Sequence, residues 1–359
     1  MAVSPEDLVA GTLSQIKYHQ IFTLPATDSH GPLKVTYALA GVSLTEDAPT
    51  ILFCGGMFAD RWQAIQDDYI AAKSGVSVIY IDRPGFGGST PVPLDQRIST
   101  VTEIVLALLR HLNIKHVSLV GHCAGTVYAL NLLSKHPEIL NLARPFITLI
   151  TPWVHQKYTG AKIFKAAGML PNMLFNYVDL WQAFISFSIT DAISDLVDFI
   201  RNRKNSQDEK YTEEYCKEYF GLDYQRSLEL FRSGRQYQDA EVSKGVNDEA
   251  KLCLKTAKKK CGWGAAENLP ELVEGLRKVW EQRVIAGQQK LKVVFLLAKY
   301  DEMIRKKGEE YLASCWSQEK CGAGIVVSTY KTEDTDHQSV GDLDNRRMVF
   351  ECVKMWSGR

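Results

Sequence analysis

Short runs rich in β-branched residues recur through the first 150 residues: "KVTYAL", "TILFC", "SVIYID", "HVSLVG" and "FITLIT". Helical patterns separate them. Strands that read as nearly continuous apolar runs, alternating with helices, predict a mostly parallel sheet covered on both faces, the doubly wound α/β class. Between the third and fourth runs, "TVTEIVLALLRHL" places Val101, Ile104, Leu108 and Leu112 on one face, and its Thr100-x-x-Glu103 reads as a capping box at the helix start. From Trp153 to about Lys290 the strand signal vanishes and segments such as "YVDLWQAFISF" and "LPELVEGLRKVWEQRV" take over. The sheet pattern resumes at "LKVVFLLA" and "GIVVSTY". A closing helix, "NRRMVFECVKMW", carries Val349, Cys352, Val353 and Trp356 as an amphipathic stripe. The expected organisation is an N-terminal arm (1–27), an α/β core (28–152 and 291–359) and a helical insertion (153–290). The lysine-rich run "KTAKKKCGWG" reads as a solvated helix end with a glycine stop.

One turn in this pattern points to chemistry. The strand "HVSLVG" runs directly into "HCAG" and then into a helix with Val127, Leu130 and Leu133 on one side. A reactive residue on such a strand-to-helix turn needs small neighbours, which Gly121 and Gly125 supply, and Cys123 would then sit at a helix N-terminus. There the unpaired N–H groups and the helix dipole favour a thiolate. A buried cysteine in an ordinary βα turn would carry the same sequence. An activated thiol needs a base, and the base an orienting acid. Of eight histidines, His337 follows the last strand run in the polar stretch "KTEDTDHQSV", at the carboxyl edge of the same sheet. Asp301 ends the preceding strand, with Glu302 beside it as the competing acid.

Two glycine-rich loops lie on the same edge. The N–H groups of "FCGGMF" (53–58) can turn inward to bind a developing oxyanion together with that of Ala124. "DRPGFGGS" (82–89) is assigned to shaping the sheet edge. The order "FCGGMF", "DRPGFGGS", "GHCAG", Asp301, His337 resembles the α/β-hydrolase superfamily. That resemblance implies an eight-stranded, mostly parallel sheet with a lid after the sixth strand. It also implies Cys123 as nucleophile, Asp301 as acid and His337 as base, with Ala124 and Met57 as oxyanion donors and Gly56 as the alternative to Met57. The chain departs from the common pattern in two places: Cys54-Gly55 replaces a His-Gly pair, and Cys123 replaces serine.

Composition narrows the partner. Lys plus Arg equal Asp plus Glu at 42 each, so no net field draws the chain to nucleic acid or to an anionic membrane. With 45% hydrophobic residues the chain can build a large core. The eight cysteines lack zinc-ligand spacing and read as reduced thiols, and no apolar run approaches membrane-spanning length. A cytoplasmic enzyme needing no cofactor or metal is expected. Its substrate would be a small hydrophobic ester, lactone or thioester, free or delivered by a carrier protein. The acyl group would pass to water, or to another nucleophile in a transfer or cyclisation resembling polyketide release. Most apolar residues across 166–187 would pack against neighbouring helices, and the remainder, with Phe58 and Trp153, would line the acyl pocket. Two other readings are a ligand-binding protein without catalysis, and a lyase or isomerase using His337 as base with no acyl-enzyme.

Overall fold

The computed structural model describes residues 5–45, 48–161, 212–241, 244–256 and 261–357. In chain order the elements begin with α1 (Pro5–Leu13), β1 (Gln20–Leu24), β2 (Leu33–Gly41), β3 (Thr50–Cys54) and α2 (Gln63–Ser74). They continue with β4 (Ser77–Ile81), α3 (Arg97–His111), β5 (Ser118–His122), α4 (Gly125–Lys135), β6 (Phe146–Ile150) and α5 (Gln156–Thr159). Next come α6 (Glu213–Phe220), α7 (Tyr224–Ala240), α8 (Lys244–Leu254) and α9 (Leu269–Ile285). The chain closes with β7 (Leu291–Tyr300), α10 (Arg305–Cys315), α11 (Gln318–Cys321), β8 (Ile325–Asp336) and α12 (Leu343–Ser357).

Eight strands form one sheet in the order β1-β2-β4-β3-β5-β6-β7-β8. The first two pairings in that order, β1 with β2 and β2 with β4, are antiparallel, and the rest are parallel. β6 ("FITLI") is buried along its whole length and β3 and β5 on all but the last residue, as strands covered on both faces must be. β1 lies inside the stretch read as an N-terminal arm. Its "QIFTL" alternates exposed and buried residues as an edge strand does, which leaves too few apolar positions to stand out in sequence.

Each sheet face has its own core. α3, α4, α9 and α10 cover one face with Val101, Val127, Leu276 and Leu312; α1, α2 and α12 cover the other with Val9, Ile65, Val349 and Val353. The helices between β6 and β7 contribute to both. Cys216, Tyr219 and Phe220 of α6 and Leu230 of α7 join the second core, whereas Cys253 and Leu254 of α8 and Val273 and Trp280 of α9 join the first. The expected helix "YVDLWQAFISF" lies outside the described residues.

Two local expectations are corrected. Thr100 does not cap α3: the helix starts one turn earlier, and Thr100 N–H already donates to the Gln96 carbonyl. Its start is anchored instead by the fully buried Arg97, whose guanidinium donates to Pro84 O and ion-pairs with Glu249. Nor is the described flank of the lysine run a solvated helix end. α8 stops at Leu254, Trp263 is buried, and its indole N–H donates to Leu252 O at 2.8 Å.

Candidate active site

Cys123 follows β5 in a left-handed conformation, φ 49°, which costs a non-glycine residue free energy and persists only when its surroundings impose it. Here they do. Cys123 N–H donates to Ile150 O at 3.0 Å, and its carbonyl accepts from Thr126 N (3.1 Å), Thr126 Oγ1 (2.6 Å) and Trp153 N (3.2 Å). The neighbours must be small: a Cβ on Gly125 would lie 1.9 Å from the Cys54 carbonyl oxygen, and one on Gly121 would lie 3.0 Å from Ala129 Cβ. Thr126 went unnoticed in the sequence, because a helix-start threonine has no signature until its hydroxyl is seen on the Cys123 carbonyl.

Asp301 and His337 emerge from adjacent parallel strands, β7 and β8. Their pairing begins with Leu291 opposite Ile325 and runs evenly to Ala298 opposite Thr332. It then slips, so that Tyr300 faces Asp336. Asp334 takes up the slack with φ 54°, a conformation aspartate tolerates better than most residues. The slip brings the next residues, Asp301 and His337, side by side. His337 Nδ1 lies 2.8 Å from Asp301 Oδ2, while Asp301 Oδ1 accepts the N–H groups of Met303 (2.9 Å) and Ile304 (2.8 Å). Glu302 points elsewhere and pairs with Arg305.

Both residues are buried, which sharpens the electrostatics. Burial opposes a charged imidazole at His337, but the Cys123 charge and the Asp301 carboxylate outweigh it and push the pKa up to about 10. Burial also pushes the Asp301 carboxyl up, yet its hydrogen bond and charge interaction with His337 hold it below the usual carboxylate range. With Nδ1 engaged by Asp301, the buried Nε2 has no hydrogen-bond partner among the described residues, while Cys123 is near enough to be among the groups that raise His337. His122 stacks near His337 with ring centroids 6.5 Å apart. Burial, with the positive charges of His337 and Arg346, pushes His122 down to about 3, so it stays neutral.

A Cβ built on Gly56 would lie 3.6 Å from Cys123 Cβ, which puts the "FCGGMF" loop beside Cys123. Met57 and Ala124 are buried, and among the described residues neither backbone N–H donates to a backbone carbonyl. Phe58 is half-buried at the margin of the core, and Trp153 is buried with its indole N–H on the Cys253 carbonyl of α8 at 3.2 Å. The stretch 166–187 lies outside the described residues. No group of three or more His, Cys, Asp or Glu among the described residues could hold a metal ion, and no helix among them is long and apolar enough to cross a membrane.

An eight-stranded, mostly parallel sheet with a tight strand-to-helix turn after β5 defines the α/β-hydrolase class of protein. The chain belongs to the alpha/beta hydrolase fold family, whose model matches residues 49–323. No curated protein sequence matches it. Among solved structures it is similar to an alpha/beta hydrolase enzyme from a Medee basin deep-sea metagenome library, at 13% identity and TM-score 0.56 over 95% of this chain and 98% of that one. It is also similar to a bacterial membrane phospholipase A, at 13% identity and TM-score 0.55 over 98% and 91% of the two chains. A third is a thermophilic esterase from Thermogutta terrifontis, at 14% identity and TM-score 0.51 over 94% and 97%. At these identities the likeness establishes the fold. The family match ends before His337.

Proposed function

We propose that the protein is an acyl-transfer enzyme in which Cys123 attacks the carbonyl of an ester, lactone or thioester of a hydrophobic metabolite. The observation that carries this reading is the convergence of Cys123, forced into a left-handed turn, with an aspartate-held imidazole delivered by the slip between β7 and β8. Cys123 passes its thiol proton to His337 Nε2, and its sulfur forms a bond to the carbonyl carbon. The oxygen takes up the charge and is met by the N–H of Ala124 and that of Met57 or Gly56. As the tetrahedral species collapses, His337 gives its proton to the departing oxygen or sulfur, and Asp301 stays ionised throughout. The product is a thioester on Cys123. An acceptor then loses a proton to His337, attacks the same carbon and releases the thiol. The acceptor is water in hydrolysis, or another nucleophile in transfer or ring closure. The esterase and phospholipase among the structural relatives support ester chemistry. The thioester supports the wider choice of acceptor, since it reacts more readily with amines, thiols and carbon nucleophiles than an oxygen ester does.

Intact-mass measurement after incubation with activated acyl esters, lactones and thioesters tests the proposal. A single acyl adduct that is lost in Cys123→Ala is expected. Full activity of Cys123→Ala on a true substrate would overturn it and leave a lyase or isomerase using His337 alone. Absence of adduct and turnover across the panel would favour a ligand-binding protein.

A further inference from the structure

The stretch "DRPGFGGS" contains a residue placed to act on the oxyanion loop rather than on the sheet edge. Arg83 is buried immediately after β4, and its guanidinium reaches across to the "FCGGMF" loop. Nη1 donates to Gly55 O at 2.8 Å, and Nη2 donates to Gly56 O at 2.7 Å. These two carbonyls belong to consecutive peptide planes. In a trans peptide the C=O and the N–H point in opposite directions, so holding Gly55 O and Gly56 O on one side aims the N–H of Gly56 and the N–H of Met57 to the other. Those are the two candidate oxyanion donors. A single planar fork therefore fixes both peptide planes at once, which an ammonium group cannot do.

Arg83 is itself held from the insertion. Its Nε donates to Glu249 Oε1 of α8 at 2.9 Å, and Glu249 is fully buried between Arg83, Arg97 and the Tyr128 hydroxyl, which donates to the same oxygen at 2.6 Å. The guanidinium also lies over the rings of Phe86 and Tyr128, at 5.0 and 5.4 Å.

We propose that Arg83 is a positioning residue that orients the oxyanion donors, and that Glu249 of the insertion sets its position, so that the insertion helps assemble the catalytic site as well as flanking it. This rests on the acyl-transfer reading above. An oxyanion donor matters only when a carbonyl oxygen gains charge. Alkylation of the same sulfur by iodoacetamide, a displacement at carbon, does not need it.

The experiment compares two rates at Cys123 by mass spectrometry in the intact protein: acylation by a p-nitrophenyl ester, and alkylation by iodoacetamide. In Arg83→Lys, acylation is expected to fall about 10²-fold, the scale of losing one oxyanion donor, while alkylation stays within about threefold of wild type. Glu249→Gln, which keeps the shape but loosens the hold on Nε, should fall in the same direction by less. It also carries the comparison should Arg83→Lys not fold, as checked by thermal unfolding. Acylation at the wild-type rate in both variants would overturn the proposal. A parallel fall in both rates would also overturn it, because the damage would then lie in the nucleophile rather than in the donors. Wild-type protein that is alkylated yet never acylated would overturn the acyl-transfer reading, and this one with it.

Discussion

Cys123→Ser exchanges one polarisable atom for a hydroxyl that must lose its proton during attack. If the enzyme routes its acyl group to an acceptor other than water, the serine variant is expected to acylate more slowly and to shift product toward the free acid. A plain hydrolase would give the same product at a changed rate, and product analysis by mass spectrometry separates the two. His122 makes a prediction about stability. Held near 3 when folded and at about 6.5 when unfolded, it is neutral in the native state while the unfolded chain gains its proton as pH falls below 6.5. The unfolded state then binds more protons, so stability falls with acid, at a limiting slope of about 1.4 kcal/mol per pH unit. His337 contributes with the opposite sign and in a different window. Its raised pKa gives stability fully present below about 6.5 and lost as pH rises toward 10. Asp301, lowered in the fold, adds stability that is present above the unfolded value near 3.8 and lost only in stronger acid. His155, also pushed down by burial, and Asp60, pushed up to about 7, act in the same range. The difference between wild type and His122→Asn in urea denaturation between pH 6.5 and 5 therefore reads His122, and the variant should show the flatter acid limb. The positions of Cys123, Asp301 and His337 at strand ends were legible in sequence because each directly follows a strand run. Arg83 and Glu249 were not, because their partners are backbone carbonyls and a helix more than 150 residues away, and neither leaves a local pattern.

At the scale of elements, the slip between β7 and β8 sets the His337 imidazole beside Asp301. The two strands were legible, but the slip was not, since "TEDTD" reads as a polar loop whether or not it pairs. Asp334 is the residue that absorbs it, and a β-branched side chain resists φ 54°. Asp334→Val is expected to slow acylation of Cys123 at least tenfold, a barrier change of about 1.4 kcal/mol, as His337 loses its level with Asp301. Asp334→Gly should stay close to wild type. Equal rates in both variants would show that the local conformation of this stretch does not govern the site. The start of α3 teaches a related lesson: Thr100-x-x-Glu103 fits a capping box, but the buried Arg97–Glu249 pair draws the helix one turn further back.

For the whole molecule, the sheet and its order of loops could be read from alternating runs, whereas the role of the residues between β6 and β7 could not, because helical periodicity says which face is apolar but not what it faces. Those residues build both cores. Phe220 and Trp280 are buried on opposite sides of the sheet, and truncating such a side chain costs about 3–5 kcal/mol against a net domain stability of about 5–15 kcal/mol. Excising residues 160–288 and rejoining the ends is therefore expected to abolish cooperative thermal unfolding, read by calorimetry. A sharp transition in that variant would show that the sheet stands alone. The charges joining this region to the catalytic edge bear on traffic. Arg61 bridges buried Asp82 to Glu241, just past α7, while Glu249 of α8 is wedged between Arg83 and Arg97. Swinging that segment outward would take Glu249 away from Arg83 and Arg97 and leave two buried guanidinium groups without their carboxylate. Under the acyl-transfer proposal, α7 and α8 would then bound the site as a wall tied down by buried charges, and reactant and product would come and go past a different rim.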